Sequence, residues 1–167
     1  SWLQRDTHMD EMNEILLEAR DELKRLEHII YVSLKYTRTV DVITNALNRM
    51  VSTYDLVVDA FLERAQEEGQ IESLPKSPAL RARRLAEIRE NDQELLKYLK
   101  FYTFLKNILT LPYSRRQEYR RHVTRIVPLE NSTAELCIDN LTNAEKYLHK
   151  FVTYAWHTLV GKPEEDD

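Results

Sequence analysis

An all-α fold, an antiparallel up-and-down helical bundle of four to five main helices, is what this sequence predicts. Apolar residues recur at steps of three and four over long stretches, as one face of a 3.6-residue period requires. Glycine occurs only twice in 167 residues, and sheets draw on glycine for their turns. No stretch alternates convincingly with the period of two that a half-buried strand shows.

The first helix is predicted over 10–35, with Met12, Leu16, Ala19, Leu23, Leu26 and Ile30 as its stripe. Glu14 and Glu18, and Glu11 and Asp21, fall on other, solvated faces. "YVSLKYTRTVDVI" is rich in β-branched residues, and Thr39 with Asp41 marks a break. The second helix, over 40–66, carries the cleanest pattern: Ile43, Leu47, Met50, Tyr54, Val57 and Phe61 step 4, 3, 4, 3, 4. A stripe of that length must be covered by other helices. Gly69 suits a helix C-terminus, and Ser77 with Pro78 suits the start of a short helix. Asp92 to Leu109 repeats the pattern through Leu95, Leu99, Tyr102, Leu105 and Leu109. Tyr98, Phe101 and Phe104 add a second apolar flank, from which self-association as a homodimer is expected. A fourth main helix is predicted from Ser114, with Tyr119, Val123 and Ile126 as its buried face. A fifth is predicted over 133–159, with Ser132 and Glu135 spaced for a capping box. An elongated coiled-coil hairpin is the competing architecture for the two strongest patterns.

These elements form one domain over residues 10–160, between a flexible N-terminal extension, 1–9, and an acidic tail, 161–167. Neither glycine has a glycine neighbour, which argues against a phosphate loop or a dinucleotide fingerprint. Cys137 is the only cysteine, so no intramolecular disulfide is available and a cytoplasmic location is expected. No apolar run approaches the roughly 18 residues of a membrane span, so no membrane partner is expected.

The net charge of -4 hides a pattern. Residues 1–75 carry 8 basic and 15 acidic side chains, residues 76–127 carry 13 and 5, and residues 128–167 carry 3 and 8. Either the acidic ends fold back on the basic middle, or the middle presents a positive surface to nucleic acid or to an acidic partner.

The basic middle culminates in "SRRQEYRRH", Ser114 to His122. On a helix, Arg115, Tyr119 and His122 fall near one line, with His122 at the edge of the buried stripe. An imidazole beside guanidinium groups in a partly dry groove is placed for general acid–base work on a phosphodiester, with Arg115 or Arg116 holding the phosphate. Arg120, Arg121 and Arg125 are further phosphate contacts. "SLKYTRT" contributes Lys35 and Arg38 beside a helix N-terminus, a natural anion site. Glu145 and His149 share a face but lack a third ligand, so no metal and no cofactor is expected. Cys137 reads as an inert thiol.

Arg116 and His122, with five residues between them, or Arg115 and His122, with six, make the chain resemble the HEPN superfamily. The resemblance implies a small helical protein, commonly dimeric, and in the active members a composite RNA-cleaving site built by the arginine and histidine of two protomers. Arg116 is followed by Gln117 and Arg115 by Arg116, where the family often has a small polar residue. The function expected is a small RNA-interacting protein, as a metal-independent endoribonuclease using His122, Arg116 and Arg115. The alternative is a non-catalytic structural or protein-interaction module that binds an acidic partner.

Overall fold

The structure is a computed structural model that describes residues 2–161, with side chains from residue 11 onward. Helix α1 spans Trp2–His28 and runs without a break through the boundary expected at Asp10. A π-helical turn, Ile29–Ser33, and a last short turn, α2 (Leu34–Tyr36), continue it. The widened turn keeps Ile29 and Ile30 buried and leaves Tyr31 and Val32 exposed. The chain then leaves helix over Thr37–Thr39. Thr39 is extended, and its hydroxyl oxygen accepts from the Val42 N–H at 3.3 Å, so the expected break is an N-cap.

Helix α3 (Val40–Glu67) follows. Every residue of its predicted stripe is buried. It ends where expected: Gly69 has φ +77°, the Gly69 N–H bonds the Gln66 carbonyl and the Gln70 N–H bonds the Ala65 carbonyl. This left-handed closure favours glycine. Helix α4 (Pro78–Ile88) is capped by Ser77, and α5 (Gln93–Thr110) by Asp92. Arg81 on α4 pairs with Asp59 at 3.1 Å, and Tyr102 on α5 donates to Asp55, so both helices dock polar groups on α3.

The predicted fourth main helix does not form. Its segment is a small antiparallel sheet of β1 (Ser114–Arg116), β2 (Thr124–Pro128) and β3 (Thr133–Leu136), in the order β1-β2-β3. The molecule is therefore mostly helical but not purely all-α. The spacing of Tyr119, Val123 and Ile126 imitates a helix face. Pairing decides the outcome: β2 lies between β1 and β3 with Val123, Thr124, Arg125 and Val127 buried, in a run of β-branched residues suited to a strand. Tyr119, expected inside, is 80% exposed. Gln117 (φ 54°) and Tyr119 (φ 68°) turn the chain without glycine, each at a strain of about 1 kcal/mol. Glycine scarcity was thus a poor guide to the absence of strands.

The last helix also starts later than predicted. Thr133–Leu136 pairs with β2, with Ile126 opposite Glu135 and Val127 opposite Ala134. Helix α6 (Ile138–Leu159) begins after Cys137, whose N–H bonds the Asn140 side-chain oxygen at 3.3 Å. Ser132 does not cap it; its carbonyl accepts from the Leu129 N–H and closes the β2–β3 turn.

Apolar stripes from α1, α3, α5 and α6 meet in one core. The second aromatic flank of α5 is largely used inside the protein. Tyr98 lies 4.9 Å, centroid to centroid, from Phe151 and 5.0 Å from Tyr147, and Phe101 meets Tyr147 edge-on at 5.4 Å. The surplus apolar surface from which a homodimer was expected is therefore mostly covered by α6, leaving Phe104 partly exposed. Among the described residues no helix is long and apolar enough to cross a membrane.

Arg125 is only 1% exposed. It donates to Thr44 Oγ1 at 2.8 Å and to the Ile108 carbonyl at 3.3 Å. The Tyr113 ring lies over its guanidinium at 3.9 Å. Ile108 is in the last turn of α5, so the negative end of that helix and the face of an aromatic ring stand in for a carboxylate. Arg125→Ala should cost about 3 kcal/mol in urea unfolding, from the cavity and the stranded acceptors. Arg125→Met, which refills the volume without charge, should recover part of that loss.

Glu145 on α6 is 5% exposed, and its carboxylate accepts from the Tyr31 hydroxyl at 3.2 Å. Burial raises its pKa, and the neighbouring Glu27 carboxylate adds to the rise, while the Tyr31 hydrogen bond and His149 oppose it. A carboxyl raised in the folded state binds its proton more tightly there than in the unfolded chain. The associated stability is complete below the unfolded pKa and is lost as pH rises through the folded one. Glu145→Gln keeps the Tyr31 hydrogen bond and removes the titration. Urea melts across the acid-to-neutral range should show the variant gaining on the wild type as pH rises.

Candidate functional site

The two polar segments singled out in the sequence, Ser33–Thr39 and Ser114–His122, meet in space. The Tyr119 N–H bonds the Arg38 carbonyl at 2.6 Å. Glu118 reaches further and accepts from the Val40 N–H at 3.2 Å. Both contacts fall at the N-terminus of α3. A 28-residue helix leaves unpaired N–H groups and a partial positive charge at that end. The anion expected there, between Lys35 and Arg38, is supplied by the protein's own Glu118.

The same carboxylate engages Arg115. Arg115 bonds Glu118 and Asp41, each at 2.9 Å, and its guanidinium lies 5.6 Å from the Tyr113 ring. Those hydrogen bonds raise its pKa above the ordinary arginine value. Arg116 meets Glu135 fork to fork, at 3.0 and 3.1 Å, diagonally across β2. The bidentate contact pulls the Glu135 carboxyl below the usual carboxylate range. With Arg81 on Asp59, three arginines of the basic middle are paired with acids from the two acidic ends. That is the folding-back anticipated from the charge pattern.

Arg125, expected as a phosphate contact, is inside the protein under Tyr113, and its contacts are protein acceptors. Burial pulls its pKa down. His122 is not at the dry edge of a helix. It is exposed in the turn before β2, where its carbonyl accepts from the Thr124 hydroxyl at 2.8 Å. The structure therefore does not gather Arg115, Arg116 and His122 into a groove. Arg115 and Arg116 alternate to opposite sides of β1, each held by acids.

What it does gather is different. Lys35, Arg120, Arg121 and His122 are exposed, Arg38 is half-buried, and none has an ion pair among the described residues. Arg38 Nε is buried without an acceptor. The same two segments carry Tyr36 and Tyr119, 84% and 80% exposed, far above any other large hydrophobic side chain among the described residues. The sequence reading missed both tyrosines, because Tyr119 fitted a helical stripe. A tyrosine between Lys35 and Arg38 in one segment, and one directly before Arg120, Arg121 and His122 in the other, was the available signal.

No protein-family model, curated protein or solved structure matches this chain.

Removing Glu118 separates its two roles. Glu118→Ala should lower stability by about 1 kcal/mol through the lost cap, as read by thermal or urea melts. The same change leaves Arg115 with Asp41 alone and should strengthen binding of a polyanion such as heparin at low salt. Unchanged stability would show that water caps α3 equally well.

Proposed function

We propose that this protein binds single-stranded RNA, at the end of the molecule where α2, the α3 N-terminus and the β1–β2 turn meet. The observation that carries this reading is the pairing of Tyr36 and Tyr119, both almost fully exposed, with five basic side chains that have no ion pair among the described residues. Exposed rings on which bases stack, set among cations that track the backbone, are the common elements of single-strand recognition. The turn is held in place by its backbone bond to Arg38, so the aromatic and basic groups are presented together without a binding step to assemble them.

The reading is one of binding rather than cleavage. Arg116 is committed to Glu135, and among the described residues no side-chain partner orients the His122 ring. A composite site with a second copy would need Arg116 to leave that carboxylate.

Fluorescence anisotropy of a labelled oligouridine against salt tests the proposal. Affinity should fall steeply with salt, and Arg120→Ala with Arg121→Ala should flatten the log–log slope by about 1.4, at roughly 0.7 per phosphate contact on a single strand. Tyr36→Ala and Tyr119→Ala should each weaken binding by about 1–3 kcal/mol. His122→Ala should leave affinity nearly unchanged. Absence of binding at low salt sinks the proposal. Cleavage in EDTA that disappears in His122→Ala and Arg116→Ala would instead make the protein an endoribonuclease.

A further inference from the structure

A groove of about 790 Å³ runs between α4 and α5, away from the basic–aromatic end. Its lining is mostly apolar, with Ala79, Ala82 and Ala86 on the α4 side and Leu96 and Leu99 on the α5 side. Its rim carries Arg83, Lys97 and Lys100, all exposed and without an ion pair among the described residues. Small residues on one wall let another helix approach closely. Basic rims over an apolar floor select an acidic helix with an apolar tooth.

The chain itself carries such a helix. On α1, Glu11, Glu14, Glu18 and Asp21 are exposed at steps of three, four and three, so they form one line. None of the four has an ion pair among the described residues. Leu17 lies beside that line and is 48% exposed. The acidic line is about 15 Å long at 1.5 Å per residue, and the 11 residues of α4 span about 16 Å. Charge, length and the projecting leucine all match. The groove lining offers no exposed phenylalanine or tryptophan and holds Tyr102 at 2% exposure, so it lacks the stacking surface of the other end.

We propose that the α4–α5 groove of one copy receives the acidic face of α1 from a second copy. The stripe is on a helix that packs against α3 and α6, whereas the groove is built by α4 and α5. Stripe and groove are different surfaces, so one such contact leaves a stripe on one copy and a groove on the other, which either meet in a closed two-fold dimer or carry growth beyond a dimer.

Sedimentation velocity over a concentration series tests this. At low salt the mean mass should rise with concentration, and at high salt it should fall to that of the monomer. Lys97→Glu with Lys100→Glu makes groove and stripe both acidic; Glu14→Lys with Glu18→Lys makes both basic. Each double variant alone should stay monomeric, and an equimolar mixture should associate again. Leu17→Ala, which changes no charge, should weaken association several-fold. A wild type that stays monomeric throughout at low salt overturns the proposal. So does a mixture no heavier than its components when circular dichroism shows both folded. Oligouridine binding should be unchanged in the Lys97→Glu, Lys100→Glu variant; its loss would assign the groove to nucleic acid and overturn the docking proposal, while leaving RNA binding itself in place.

Discussion

Helix α3 must be enclosed, and most of the architecture follows from that. Thirteen of its 28 residues are buried, too many for one facing helix to cover. Helix α1 lies along one side, α6 and α5 take others, α4 closes part of the remainder, and β2 covers the end near Val40. Tyr54, fully buried on α3, stacks with Phe151 at 4.9 Å and meets Tyr102 at 5.2 Å. Its ring joins three helices. Burial of this apolar surface is the main favourable term, at about 25 cal/mol per Å².

The enclosure creates a polar problem at each end of α3, and each is met by a different device. At the C-terminus Gly69 turns the chain and satisfies the last carbonyls. At the N-terminus the unpaired N–H groups are met by Thr39 and, from far along the chain, Glu118. Arg125 performs the complementary task for α5, whose last turn presents carbonyls. These contacts fix the small sheet against the helices. They also explain why the basic middle of the chain is less available than its charge suggests. Arg115, Arg116 and Arg125 are structural, and among the described residues the cations of the middle that have no ion pair include those of the β1–β2 turn and of the α4–α5 groove.

The three long apolar patterns were legible because a helix stripe is a local, repeated signal. Met12 to Ile30, Ile43 to Phe61, and Leu95 to Leu105 lie on the predicted faces and are buried as predicted. The break at Thr39 and the caps at Ser77 and Gly69 were legible for the same reason: each acts within a few residues. The sheet was not. Its strands are three to five residues long, too short for their alternation to outweigh a chance helical spacing. Their stability comes from partners up to 12 residues away, such as Ile126 on Ser114 and Glu135 on Ile126. The candidate site shared that fate. Arg115 and His122 were linked by a helical geometry that does not exist.

Taken alone, the chain determines a helical protein with one enclosed helix, its principal breaks, and a basic middle between acidic ends. Only the tertiary structure decided which cations remain free, because ion pairing depends on groups distant in sequence. Asp41 for Arg115, Thr44 for Arg125 and Glu135 for Arg116 are brought within reach by the fold. Tertiary structure also turned Tyr119 from an expected core residue into an exposed ring beside Arg38. A positive φ, paired strands and one backbone hydrogen bond hold it there, and none of them is a property of a periodic pattern.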